Sequence, residues 1–299
     1  MTDGAGVTGG GAVRGRAVRA AVLAGLNAGR IELSHCFTMI EDAFEVLPMP
    51  LISVVILLVA DAKHADVPGT HFLIGGTLLT AMLILNLSLN GMAGMAMNLT
   101  MAREDGTLLR AKATPNGMIG LLTGKVVVIS GIILLTVAGL LIVGLAPFSG
   151  VALGRAATWL TLAWVLPLGL LAMLSVGAVL GSVFPSVRSG TVMISGIFLL
   201  VGLSGIFTPV TQLPAWLQWT VQAFPVYWLG LGVRSALLPA SLAAVEIGHS
   251  WRHLATAGAL GGWAVAGLVV APVLLRRAAR RVSGSSVAAR RERAISRAI

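Results

Sequence analysis

Few side chains in this 299-residue sequence could do acid-base, nucleophilic or metal chemistry: five histidines, one cysteine and eleven carboxylates. His35, His64, His71, His249 and His253 fall at the ends of apolar runs or between them, which suits an interfacial position better than a buried relay. Cys36 is alone, so the chain cannot close a disulfide on itself, and no group of Cys and His has metal-ligand spacing. The carboxylates form no pair placed for general acid and base work, and Asp61 and Asp66 read as residues of a solvated loop. An enzyme acting inside the membrane is not indicated.

Two segments spell nucleotide motifs without the context those motifs need. Gly4-Ala5-Gly6-Val7-Thr8-Gly9 satisfies G-x-G-x-x-G, but a dinucleotide site needs it between a strand and a helix, and here it lies in a Gly-rich terminus. Gly124-Lys125 fails the phosphate-loop pattern on both sides, at Ile119 and at Val126. The most charged interior segment is Ala102 to Gly117. Gly106 suggests a turn and Thr107–Ala113 a brief helix, stopped before Pro115. Charges of both signs on such a helix offer a grip to a soluble partner, although an ordinary solvated loop would look the same.

The elements that carry these residues are membrane helices. Hydrophobic residues make up 57% of the chain and charged residues 11%, against about a quarter charged in a typical soluble domain. That polar surface is too small to keep a fold of this size in water. A crossing helix needs roughly 20 apolar residues, and six runs qualify: Ala43–Ala60, Phe72–Met101, Met118–Ala146, Ala156–Phe184, Thr191–Phe207 and Leu254–Leu275. Between the last two, Pro209, Pro214, Pro225 and Pro239 interrupt an apolar stretch over 208–239, since each removes a backbone donor. Two short helices that enter one leaflet and return are expected there, packed against the spans so that their backbone groups are satisfied.

Six spans place both termini on one side, and the basic residues say which. Of the 21 Lys and Arg, 17 fall on the side of the termini and only Lys63, Arg155, Arg234 and Arg252 on the other, so the termini are expected in the cytoplasm. Trp159, Trp216, Trp219, Trp228 and Trp251 cluster near the outer ends, where amphipathic rings prefer the headgroup zone. The net charge of +10 is thus topology, with eight arginines after Leu275 facing anionic lipid, and no nucleic acid is needed to explain it. Ahead of the first span, Arg14 to Ser34 sets Val18, Val22, Leu26 and Leu33 near one helical face and reads as an interfacial helix.

The loop Arg103-Glu104-Asp105-Gly106-Thr107-Leu108, followed by Thr114-Pro115 and Gly124-Lys125, resembles the cytoplasmic loop of ABC transporter type 2 permeases. Gly205-Ile206-Phe207-Thr208-Pro209, Leu213-Pro214-Ala215-Trp216, Phe224-Pro225 and Arg234 resemble the second half of that family's signature. The wording is most similar to the drug and antibiotic exporters of high-GC bacteria, and the abundance of Arg, Ala and Gly agrees with such a source. Members often carry a further acidic residue before the Arg-Glu pair, where this chain has Ala102.

The resemblance implies an all-α polytopic membrane protein in the bacterial cytoplasmic membrane. Residues 1–13 are then a disordered terminus, 14–42 the connecting helix, 43–275 the six-span domain and 276–299 a basic cytoplasmic tail. Within the domain lie a coupling loop, 102–117, and an outer re-entrant hairpin, 208–239. It further implies no catalytic, cofactor or metal site in this chain: ATP and Mg belong to a separate ATPase, two copies of which pair with two permeases, identical or sibling. Arg103, Glu104, Asp105, Gly106, Thr107, Leu108 and Pro115 are the ATPase-coupling candidates, and Pro209, Leu213, Pro214, Trp216, Pro225 and Arg234 form the outer re-entrant motif.

For the substrate path, Asn86, Asn90, Gly94 and Asn98 recur every four residues on one face of the second span. Polar residues in a bilayer seldom face lipid, so the stripe either lines the path or glues helices together. Gly177/Gly181 and Gly258/Gly262 have small-x-x-x-small spacing for close helix contact. Glu45 and Lys125 share a depth that would let them pair. The expected cargo is an amphipathic small molecule, an antibiotic or drug, moved outward. A polysaccharide or lipid-linked glycan permease is the rival, disfavoured by the scarcity of aromatic residues in the inner spans. A non-transporting membrane anchor for a soluble ATPase, serving sensing or immunity, is the alternative of another class.

Overall fold

The computed structural model describes residues 8–38, 48–62, 74–145, 151, 153–184, 187–206 and 209–281. Glu45, His64, His71, the inner part of the first expected span and the tail from 282 onward lie outside the described residues. Among the described residues every regular element is helical: α1 (Thr8–Thr38), α2 (Pro48–Ala62), α3 (Ile74–Ser88), a π-helical segment (Leu89–Gly94), α4 (Met95–Glu104), α5 (Thr107–Ala113) and α6 (Gly117–Gly144) come first. They are followed by α7 (Ala156–Val183), α8 (Val187–Val201), a second π segment (Gly202–Ile206), a 3-10 turn (Val210–Gln212), α9 (Ala215–Ala223), α10 (Pro225–Leu237), another 3-10 stretch (Ala240–Val245) and α11 (His253–Arg281).

Among the described residues four helices are long and apolar enough to cross a membrane: Gly76–Glu104, Gly117–Gly144, Ala156–Val183 and His253–Ala271. Val192–Ile206 is a shorter apolar helix. α2, over the described part of the first expected span, has 15 residues and rises only about 22 Å. The chain is thus an all-α protein with multiple membrane spans.

α7 is the central post. It packs against α4, α10 and α11, and two small residues bring it into backbone contact with its neighbour. A Cβ on Gly177 would stand 2.5 Å from the Met92 carbonyl oxygen, and one on Gly181 2.7 Å from that of Ala96. A Cβ on Gly258 or Gly262 of α11, which have the same spacing, would meet nothing within 4 Å among the described residues. Pro167 sits inside α7 without ending it. In lipid, such a proline is tolerated when neighbouring helices satisfy the freed backbone groups.

α1 follows α6 rather than crossing it. Gly25 approaches Gly120 and Thr123, Gly29 approaches Gly124 and Val127, and Leu33 lies over Gly131, so the two helices run parallel along small residues on both. α10 carries apolar residues all round and is buried along nearly its whole length, against α3, α7 and α11. Of the two helices expected between the last spans, it is the one held in the core. α9 is mostly exposed and presents Trp216 and Trp219 outward.

Candidate functional site

The loop joining α4 to α6 takes its shape from three residues. Asp105 ends α4, and Gly106 turns the chain through the left-handed region at φ 79°, a conformation glycine reaches without a Cβ penalty. The Asp105 carboxylate then accepts the backbone N–H of Thr107 at 2.8 Å, one of the donors a helix start leaves open. α5 runs from Thr107 to Ala113, and Thr114 is already extended ahead of Pro115, as the residue before proline prefers.

Side chains in this loop divide between two directions. Glu104, Asp105, Arg110 and Pro115 are exposed. Leu108 is 1% exposed and pins α5 to the helices behind it. Arg103, read from sequence as one of the coupling residues, is buried. Its Nη2 donates to the carbonyls of Gly181 at 2.8 Å and Ser182 at 3.2 Å, and its Nη1 to that of Phe184 at 3.1 Å. The first two are carbonyls of the last turn of α7 and the third is that of its capping residue, where helix geometry leaves acceptors unpaired and a cation meets the negative end of the helix dipole.

Beside the loop, Lys125 of α6 donates to Glu32 of α1 at 2.6 Å. The partner that Lys125 finds is therefore Glu32; shared depth pointed to Glu45, but the parallel packing of α1 places Glu32 alongside. A cleft of about 350 Å³ opens between the two helices and the turn into α6, bordered by Ala21, Ala28, Glu32, Thr114, Pro115 and Lys125.

The asparagine stripe makes contacts of two kinds. Asn86 is buried and donates to the Ser53 hydroxyl of α2 at 3.1 Å and to the Met82 carbonyl at 2.9 Å. Asn90 is half-buried and donates to Asn86 Oδ1 at 3.4 Å, while Asn98, also half-buried, donates to the Gly94 carbonyl at 3.0 Å. The π segment favours keeping a spacing of four on one face. An α-helix overshoots a full turn by about 40° every four residues, whereas an i→i+5 bonding pattern takes up more residues per turn and offsets that drift over Leu89–Gly94.

At the opposite end of the bundle the outer motif closes on itself. Pro209 leads into the 3-10 turn that ends at Leu213, Pro214 caps α9, Trp216 is exposed, and Pro225 starts α10 at a position where its missing N–H costs nothing. Arg234 reaches from α10 to Glu246, Nε to Oε1 at 2.6 Å and Nη2 to Oε2 at 3.3 Å, with both side chains 9% exposed. Its Nη1 donates to the carbonyl of Gly205 at 3.1 Å. Gly205 and Arg234, which come from separate stretches of the sequence signature, are thus one contact. Beside them Arg252 donates to Tyr227 Oη at 2.7 Å and to Gln222 Oε1 at 3.2 Å, and its guanidinium lies 4.9 Å from the centre of the Trp228 ring. Burial pushes the Tyr227 phenol, in α10 and outside the four spans, above its usual range, with Arg252 opposing.

Glu32, Glu246, Arg252 and Tyr227 were not singled out from sequence. An (i, i+4) glycine pair on each of α1 and α6 was the signal that could have brought Glu32 to Lys125. For Glu246 no sequence pattern points to Arg234, because the 3-10 stretch between them sets the approach.

Residues 69–270 match the family described as ABC-2 family transporter protein. No curated protein matches the chain. The matched region holds the charged loop, α7 with its arginine-capped end, and the Gly205–Arg234–Glu246 contact, and it covers more than half of the sequence. The chain belongs to the ABC-2 family of transporter proteins, whose members are non-catalytic, multi-pass membrane subunits of transporters.

Proposed function

We propose that this chain is the permease subunit of an exporter that moves an amphipathic small molecule, an antibiotic or drug, out of a bacterial cell, powered by a separate ATPase. Two permease copies, or one with a sibling, work with two ATPase subunits. The chain crosses the cytoplasmic membrane six times with both termini inside, and α9 and α10 form an outer hairpin that enters and leaves one leaflet. The ATP and Mg sites belong to the partner.

The observation that carries this reading is the exposed face of the loop: Glu104, Asp105 and Arg110 stand together at the foot of two long apolar helices, in a chain of the ABC-2 family. Rigid helices on either side of a charged, exposed turn convert a push on the turn into movement of the spans. α1 is clamped to α6 through Gly25 and Gly29 and moves with it, so a partner that presses on α1 and on Glu104 acts on the same span.

The test is co-purification from the native membrane. The chain is expected to retain an ATP-binding subunit, and Glu104→Lys to lower that association about tenfold or more, as the loss of one charged interface contact of about 1.4 kcal/mol would. A fully active exporter with no ATPase bound, or Glu104→Lys with unchanged association and unchanged export, would overturn the proposal.

A further inference from the structure

Arg103 belongs to the charged loop by sequence but not by position. It is 6% exposed, too enclosed to be gripped by a soluble partner, while its neighbours Glu104 and Asp105 are open to solvent. Its guanidinium serves the carbonyls of Gly181, Ser182 and Phe184 together. Those three acceptors belong to the end of α7 and to the residue that leads toward α8. A planar group with five fixed donors can serve three carbonyls in different directions, whereas a lysine ammonium is a point charge on a flexible stem.

Two further contacts make this a junction rather than an isolated cap. Above Arg103, Gly177 and Gly181 hold α7 in backbone contact with the π segment and α4. Below it, the backbone N–H of Asp105 still bonds to the Met101 carbonyl, so α4 continues without a break up to the turn that starts α5. The loop, the end of α4 and the end of α7 are therefore one mechanical unit, and the chain leaving α7 enters α8. Past its far end the chain kinks at Ser204 and Gly205, where Gly205 takes φ 83° and its carbonyl is held by Arg234.

We propose that Arg103 is a positioning residue that ties the charged loop to the end of α7 and makes no contact with the ATPase. A push received at Glu104 and Asp105 is delivered through Arg103 to the end of α7, from which the chain continues into α8 and on to the Gly205–Arg234–Glu246 contact. This refines the proposed function and rests on it for the source of the push. The tie itself is a property of the permease alone.

The experiment uses the full chain in lipid nanodiscs, in a Cys36→Ser background, with spin labels at Arg110→Cys on α5 and Val183→Cys at the end of α7. Both positions are exposed. Pulsed electron paramagnetic resonance then reads the distribution of distances between them. With Arg103 present the distribution is expected to be narrow, and Arg103→Gln to widen it about twofold, the signature of two elements that no longer move together. In the unlabelled chain, with Arg110 intact, association with the ATPase subunit is expected to stay unchanged on Arg103→Gln. Should Arg103→Gln fail to fold, Arg103→Lys keeps the charge but serves fewer carbonyls, and is expected to widen the distribution as well.

A distribution as narrow in the variant as in the parent would overturn the tie. A loss of ATPase association of about tenfold or more in folded Arg103→Gln would instead make Arg103 a partner contact, and overturn the proposal from the other side. If the parent chain binds no ATPase, the proposed function fails while the comparison of widths still decides the tie.

Discussion

The buried contact between Arg234 and Glu246 makes a quantitative test of how the Arg234 end of the bundle is held. The two side chains exchange a bidentate contact at 2.6 and 3.3 Å and both are 9% exposed. Arg234→Met leaves the Glu246 carboxylate buried without its cation, and Glu246→Leu leaves the guanidinium with the Gly205 carbonyl as its acceptor. Breaking a buried pair by removing one partner costs about 3–5 kcal/mol, chiefly because a desolvated charge is stranded. Glu246 borders a 3-10 stretch that is largely exposed, so the lower end of that range applies, about 3 kcal/mol for each single variant. Removing both charges strands neither. The Arg234→Met, Glu246→Leu double variant then loses mainly the bond to Gly205, about 1 kcal/mol. The expected coupling is therefore large, about 5 kcal/mol, from two singles of about 3 and a double of about 1. Reversible unfolding in mixed detergent micelles measures all four corners of the cycle. Additive singles, with a double variant that loses their sum, would show that the pair is solvated in the working protein and that its burial has no energetic consequence.

Other variants test the remaining contacts. Gly29→Leu places carbon where the Gly124 carbonyl oxygen lies 2.7 Å and the Val127 Cβ 2.8 Å from a Cβ, so α1 must leave α6; limited proteolysis should cut within α1 about tenfold faster. Gly15→Leu, with nothing within 4 Å of its Cβ, is the control expected to change nothing. If instead Gly29→Leu is cut at the parent rate, the α1–α6 clamp is refuted. In the asparagine stripe, Asn86→Leu removes the bond from α3 to Ser53 of α2 and should lower stability by about 0.6–1.7 kcal/mol. Asn90→Leu should leave a folded protein with an altered set of exported compounds, and a uniform loss of folded protein would assign the whole stripe to packing.

The long helices were legible because their signal is redundant. In Gly117–Gly144 and Ala156–Val183 almost any window of 18 residues is apolar enough to cross a membrane, and no single substitution would change the assignment. The turn at Gly106 was legible for the opposite reason. It rests on one residue type, since few others take φ 79° cheaply. What could not be read is direction around a helix axis. Val18, Val22, Leu26 and Leu33 suggested an interfacial face for α1, yet Leu33 turns toward α6 and the closest approach is made by Gly25 and Gly29, small residues that contribute little to an apolar pattern.

Arg103 shows the same limit at the candidate site. Its place in an Arg-Glu-Asp run suggests a solvated charge, and the run is indeed exposed at Glu104 and Asp105. One residue earlier on the same helix is about 100° round the axis, which is enough to turn a partner-facing side chain toward the carbonyls of α7. Whether a charge in such a loop grips a partner or braces the protein is decided by that rotation together with how close α7 comes. The α4–α7 approach at Gly177 and Gly181 brings the end of α7 within reach of a guanidinium. A larger residue at Gly181 should therefore act as a mimic of Arg103→Gln, broadening the α5–α7 distance distribution while leaving the arginine in place.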